Sequence, residues 1–244
     1  MGMSNSDRSN IVGQLSASIR ARGLWATLTL IPKNIMFLLT DFDLRYGTDT
    51  GMGSTGQIDT LPADHEGYEG TRPRLFHRII NSLNVDCREF VFLDLGSGKG
   101  RALLLASHYP FKRVIGVEYE SRLHEIAGMN ARIYCHSQQK TQQIETVCGD
   151  AAAFSLPTEP LIIYMYNPFK ASILSQVLDN IKVSLEQQPR QILIIYQNPL
   201  HRNLLDTANF LELKNDHHYR DQLLRKRPTG RVAIYQSIVT GCDG

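Results

Sequence analysis

Between residues 90 and 197, short apolar runs alternate with stretches of helical periodicity, and this alternation constrains the fold more than any other feature. The runs lie at 90–95, 113–118, 144–148, 161–166 and 191–197. Between or before them, 74–83 carries apolar residues at 75, 76, 79, 80 and 83, which is helical spacing. Helices are also expected over 100–109, where Pro110 stops the chain, over 122–134 and over 171–185. Strands that are apolar throughout, rather than on alternate residues, are buried on both faces. With helices between them, they predict a mostly parallel sheet, and right-handed crossovers make it doubly wound. The tail adds a helix at 203–210, a basic linker and a last strand at 232–239.

The 244 residues suit one such domain plus an extension. Apolar residues make up 42 % and charged residues 20 %, which excludes a disordered, collagenous or coiled-coil chain. Twenty-six Lys and Arg against 24 Asp and Glu give a net charge of +2, too balanced to make nucleic acid or an anionic membrane the default partner. The four cysteines, Cys87, Cys135, Cys148 and Cys242, form no Cys-x-x-Cys and no finger spacing with histidine. They read as reduced thiols of a cytoplasmic protein that holds no metal.

Residues 1–46 read as an N-terminal helical extension and 47–71 as a glycine-punctuated loop or lid, ahead of the domain at 72–244. The most lipid-like stretch, 23–42, is broken by Pro32, Lys33 and Asn34, so it is no transmembrane segment. Nor does the polar start at Ser4–Asn10 resemble a secretory signal. The alternative for this region is an interfacial anchor built on Trp25, Leu28, Leu30 and Ile31 beside Arg20 and Arg22.

The sharpest local signal joins the first run to the first helix: Asp94-Leu95-Gly96-Ser97-Gly98-Lys99-Gly100. Open parallel sheets bind ligands at the carboxyl ends of their strands, where this loop falls. Its glycines admit positive φ and a close backbone approach. It is not a P-loop, and the G-x-G-x-x-G fingerprint fails because Arg101 occupies the last position. Alone, it is compatible with a tight strand–helix turn or with a nicotinamide site. Two further acids narrow the choice. Glu118 ends the second run, where a carboxylate accepts both ribose hydroxyls, and Asp150 follows the third in Gly149-Asp150-Ala151, placed for an adenine amine. Three acids at three successive strand ends describe a nucleoside site without a pyrophosphate.

The stretch 90–170 resembles the class I S-adenosylmethionine-dependent methyltransferases. Asp94 to Gly100 is similar to their first motif, Glu118 to the ribose-binding acid, and Asp150-Ala151 to the adenine-contacting motif. The resemblance implies a seven-stranded, Rossmann-like sheet. It also implies S-adenosyl-L-methionine as cofactor, with S-adenosyl-L-homocysteine as product, and donor contacts from Asp94, Gly96, Ser97, Gly98, Gly100, Glu118, Asp150 and Ala151. Tyr166-Asn167-Pro168-Phe169 resembles the Asn-Pro-Pro-aromatic motif of amino-methyltransferases but has one proline. By that likeness Asn167, Pro168, Phe169 and Tyr166 are the catalytic candidates. The side-chain oxygen and a backbone carbonyl would orient an amine, and the aromatic would pack on it. The bland alternative is a strand-to-loop turn that Asn167 caps and Pro168 stops. Tyr68-Glu69-Gly70-Thr71 resembles the loop over the donor in lysine methyltransferases that lack a SET domain, which implies that Tyr68 and Thr71 cover the donor's methionine end.

Together these readings predict methyl transfer to an amine, with a protein acceptor favoured. A small-molecule acceptor and a protein that binds S-adenosylmethionine without turnover are the alternatives. Tyr166 or Glu69 would assist deprotonation. His217-His218 lacks further ligands for zinc. The basic excess of Lys214, Arg220, Arg225, Lys226, Arg227 and Arg231 over Asp216 and Asp221 reads as a solvated linker rather than a phosphate-binding patch.

Overall fold

A computed structural model describes residues 42–51, 70–220 and 228–238, without the side chains of 219, 220, 228 and 229. The remainder of the N-terminal extension, Tyr68, Glu69 and Cys242 lie outside the described residues, so the anchor reading of 20–31 does too. The chain divides into the units Met1–Arg45 and Tyr46–Gly244. Among the described residues, no helix is long and apolar enough to cross a membrane.

Seven strands form one sheet in the order β3-β2-β1-β4-β5-β7-β6. The parallel strands are β1 (Val91–Leu95), β2 (Val114–Glu118), β3 (Ile144–Cys148), β4 (Leu161–Tyr166) and β5 (Ile192–Gln197). β7 (Pro228–Ser237) runs antiparallel to β5, and β6 (Leu211–Arg220) pairs antiparallel with β7 at the edge. The helices are α1 (Phe42–Tyr46), α2 (Pro73–Ser82), α3 (Arg101–Ala106), α4 (Ser121–Ile133), α5 (Ala171–Gln187) and α6 (Arg202–Asp206). The expected α/β, doubly wound sheet is therefore present. Strand order reverses between β1 and β4, the topological switch point where such sheets open a ligand crevice.

Both faces of the central strands are buried, which is why those strands read as unbroken apolar runs. Val91, Leu93 and Leu95 of β1 join Leu161, Ile163 and Met165 of β4 in a core with Leu174, Val177, Leu178 and Ile181 of α5. The intervening residues face the other side, where Phe76 of α2 meets Phe92 and Tyr164 edge to face at 5.7 and 5.6 Å. Each such aromatic pair adds about 0.5–1.5 kcal/mol beyond its area burial. α2 forms because Pro73 pre-sets the first turn and Leu75, Phe76, Ile79 and Ile80 share its buried face.

One expected linker is a strand. Residues 211–220 pair along their length with β7, with an irregularity at Leu213/Asn215. Asp216 accepts from Arg231 across the hairpin at 2.7 Å and from Arg202 of α6 at 2.6 Å, so one charge of the basic excess is spent in an ion pair. An edge strand needs no apolar run, because one of its sides is open and β7 supplies its ladder. Charges there also block pairing with another chain. The helix expected to reach residue 210 ends at Asp206 and gives way to this strand.

Candidate functional site

The glycine loop leaves β1 through three residues in the left-handed region, Gly96 at φ 79°, Gly98 at 54° and Gly100 at 83°. Gly96 and Ser97 donate their backbone N–H groups to Val117 O at 2.9 and 3.0 Å, which folds the loop onto the end of β2. A side chain at Gly96 is impossible without movement, since a Cβ there would lie 2.3 Å from Cβ of Pro168. Gly116 beneath the loop is similarly constrained, because a Cβ would meet Leu103 Cδ1 at 2.5 Å and Ser97 Oγ at 2.8 Å.

Glu118 fastens this geometry. Its Oε2 accepts the Gly98 N–H at 2.7 Å and its Oε1 accepts the Glu120 N–H at 2.9 Å. A carboxylate has about four acceptor positions, so these bonds orient it without exhausting it. Asp94, 3 % exposed, ends β1 beside it. Burial, and then the charge of Glu118, hold the Asp94 carboxyl well above the usual carboxylate range. Asp150 Oδ1 accepts the Ala152 N–H at 2.9 Å in an exposed turn after β3, with Ala151 buried behind it. The strand ends thus bring Asp94, Glu118 and Asp150 to one rim of the sheet in the order β1, β2, β3. Ser97 Oγ is buried there and has no hydrogen-bond partner among the described residues.

The turn after β4 abuts the glycine loop through Pro168. Asn167 takes φ 43° and is 7 % exposed. Its Oδ1 accepts from the Tyr196 hydroxyl at 3.0 Å, and Tyr196 in turn accepts the His201 N–H at 3.4 Å. Phe169 is buried within the α5-side core, whereas Tyr166 is half-buried. Thr71 reaches the same strand ends from the N-terminal side: its Oγ1 lies 3.0 Å from the Tyr164 hydroxyl, which donates to Gln197 Oε1 at 2.6 Å.

Sequence reasoning misses two parts of this arrangement. Tyr196-Gln197-Asn198-Pro199 reads as a turn at the end of the fifth strand, and the bond from the Tyr196 hydroxyl to Asn167 is not foreshadowed there. The second part is the strap 47–51 on Lys99, for which a lysine inside a glycine loop is the available signal. Among the described residues, no group of three His, Cys, Asp or Glu could hold a metal.

No family model matches the chain, and no curated protein matches it. Solved structures do. TrmN from Thermus thermophilus aligns with 17 % identity and a TM-score of 0.50 over 68 % of this chain and 49 % of its own, so the likeness spans about half of that protein. An S-adenosylmethionine-dependent methyltransferase from Methanosarcina mazei aligns with 14 % identity and a TM-score of 0.52, over 66 % of this chain and 97 % of its own. The yhhF protein of Escherichia coli gives 17 % identity and a TM-score of 0.50, over 70 % and 90 %. At these identities the likeness is one of fold: the chain has the Rossmann-like fold of S-adenosylmethionine-dependent methyltransferases.

Proposed function

We propose that this protein is an S-adenosylmethionine-dependent methyltransferase that transfers the methyl group to an amine nitrogen, with a protein side chain the favoured acceptor. The observation that carries the reading is the set of acids at three adjacent strand ends, with the left-handed glycine loop bonded to the second of them. Glu118 would accept the ribose hydroxyls and Asp150 the adenine amine. The glycine loop would lie against the donor at the strand ends, with Gly96 leaving room for Pro168 of the turn that carries Asn167. Asp94 suits the donor's charge, since a cationic sulfonium and ammonium favour ionisation of an acid that burial and Glu118 hold above the usual carboxylate range.

The bound donor would supply an activated methyl group on a sulfur leaving group. The protein's share is then positioning and exclusion of water. Asn167 Oδ1 has a second lone pair besides the one used by Tyr196, and it would accept an amine N–H and direct the nitrogen lone pair. Tyr166, at the end of β4, would assist proton removal. Phe169, inside the core, would fix the turn that carries Asn167. Tyr68 and Thr71 would cover the donor from the N-terminal side, Thr71 through its bond to Tyr164.

Calorimetric titration with S-adenosylmethionine, S-adenosylhomocysteine and NAD tests the donor. Both sulfur nucleosides should bind, NAD should not, and Glu118→Ala should weaken binding at least tenfold. Binding of NAD alone, or of none of the three, would overturn the reading. Asn167→Ala should then keep donor affinity and lose methyl transfer to the acceptor.

A further inference from the structure

A short stretch ahead of the domain is pinned to the glycine loop by a buried lysine. The Lys99 side chain has no exposed surface, and its ammonium donates to Asp49 Oδ1 at 2.9 Å and to the Gly51 carbonyl at 2.7 Å. Asn130 of α4 joins the same two elements from the other side. Its Nδ2 donates to Lys99 O and to Asp49 O, each at 2.9 Å, while its Oδ1 accepts the Asp49 N–H at 2.8 Å. The neighbouring residues continue the contact, with Arg101 Nε donating to Thr50 Oγ1 at 2.6 Å. Gly70 arrives at this point too, for a Cβ on it would lie 2.8 Å from Arg101 Nη1 and 3.0 Å from Thr50 O.

Lys99 sits between Gly98, whose N–H bonds Glu118, and Gly100, which opens α3 in the left-handed region. Its main chain therefore belongs to the loop proposed to touch the donor, and its side chain belongs to the contact with residues 49–51. A loop with three left-handed glycines has high intrinsic freedom, so outside tethers set its shape. A strap that only covered hydrophobic surface would need no buried ammonium. Burying one is unfavourable unless it is paired and hydrogen-bonded, and the docked strap supplies both an opposite charge, Asp49, and a carbonyl, Gly51.

We propose that the strap formed by residues 47–51 is a working part of the donor site, with Lys99 and Asn130 as positioning residues. Strap docking holds the glycine loop in its binding shape, and by linkage the donor nucleoside tightens strap docking. This rests on the donor reading above.

The test uses the full chain and S-adenosylhomocysteine, so no acceptor is needed. Couplings of this kind are typically about 5–150-fold. Lys99→Met and Asp49→Ala should each weaken S-adenosylhomocysteine at least about fivefold by calorimetry. In the wild type, saturating S-adenosylhomocysteine should slow hydrogen exchange of the Asp49 amide by a similar factor, relative to the Leu174 amide on α5. Neither variant should show that slowing. Asp49→Ala removes a part-exposed carboxylate outside the sheet, so it keeps the test informative if Lys99→Met fails to fold. Wild-type affinity in both variants, with Asp49 exchange indifferent to ligand, would overturn the proposal and leave the donor reading intact. Absence of binding to the wild type would overturn both.

Discussion

The contact between Gly96 and Pro168 allows a stability prediction with a built-in control. Gly96→Ala forces a residue with a side chain into φ 79°, which costs about 1–2 kcal/mol. It also places a Cβ 2.3 Å from Cβ of Pro168. Ordinary carbon–carbon contacts are over an ångström longer, so the loop after β1 and the turn after β4 must separate. Overpacking of this kind costs about 1–3 kcal/mol more, for a total near 2–5 kcal/mol. Gly47→Ala supplies the reference, because Gly47 has φ 72° but nothing within 4 Å of the place a Cβ would occupy. It should show the backbone cost alone, about 1–2 kcal/mol.

The assay is urea unfolding followed by far-ultraviolet circular dichroism. With a slope of about 1–3 kcal/mol per molar urea, Gly96→Ala should lower the midpoint by roughly 1–2 M, clearly more than Gly47→Ala. Pro168→Gly removes the clashing Cβ, so adding Gly96→Ala in that background should cost at least about 1 kcal/mol less than in the wild type. Equal losses for Gly96→Ala and Gly47→Ala, or strict additivity with Pro168→Gly, would refute the claim that these two loops are in hard contact. The same separation would displace the glycine loop from Asn167, so, on the donor reading proposed above, Gly96→Ala should also bind S-adenosylhomocysteine more weakly.

Asp94→Asn should act in opposite directions on stability and binding. Because burial and Glu118 raise the Asp94 carboxyl, the wild type loses stability as pH rises through the folded value, whereas the variant should not. Melting scans from acid to neutral pH should show the variant gaining on the wild type, while calorimetry shows weaker S-adenosylmethionine binding. His108 stacks on His77 and His136 with ring centroids 5.3 and 4.6 Å apart, and burial followed by those neighbours and Lys140 lowers it from 6.5 to about 4. Its contribution is complete above pH 6.5 and is lost as pH falls towards 4. The full shift would be roughly 3 kcal/mol, and solvent access to the half-buried ring reduces this to about 1–2 kcal/mol. His108→Phe should remove that part of the acid sensitivity in pH-dependent unfolding. Tyr196→Phe leaves Asn167 Oδ1 without its buried donor and should cost about 1–3 kcal/mol in denaturant titrations, with S-adenosylhomocysteine affinity unchanged.

The parallel sheet is legible in the sequence because its strands are buried on both faces, and such strands write themselves as runs like Leu161–Tyr166. The glycine loop is legible because left-handed backbone demands glycine, and Asp94 and Glu118 because a carboxylate at the end of a buried apolar run stands out. β6 is not legible. At the sheet edge, hydrogen bonding to β7 suffices, and Lys214, Asn215 and Asp216 carry no strand pattern. The strap 47–51 reads as part of a loose loop, since Gly47, Thr48, Asp49, Thr50 and Gly51 have the composition of one. Its order comes from Lys99 and Asn130, which are distant in sequence, and no local periodicity reports such a partner. The bond from Tyr196 to Asn167 escapes notice for the opposite reason, as the body of Tyr196 packs like its apolar neighbours and only the hydroxyl differs.

The distribution of buried polar groups separates structural work from ligand binding. At the amino ends of the strands they are satisfied locally. Ser237 Oγ donates to Arg190 O and accepts the Ile192 N–H, and Thr141 Oγ1 bonds the Tyr109 and Phe111 carbonyls. Arg190 is spent on the carbonyls of Glu159, Ser184 and Gln188. These groups close loops and call for no further partner. At the carboxyl ends the pattern differs. Asp94 is buried beside Glu118 at an energetic disadvantage when ionised, and Ser97 Oγ makes no bond among the described residues. Folding alone gives no reason to gather an acid pair, three left-handed glycines and an unmatched hydroxyl on one rim, since well-packed apolar residues would be more stable there. A cationic nucleoside bound across that rim, as proposed above, would supply the reason. It would compensate the buried acids. Its charge also predicts that S-adenosylmethionine gains more affinity than the uncharged sulfide product as pH rises and Asp94 ionises. A pH series of paired titrations checks this, and parallel affinities for the two ligands across the series would refute it.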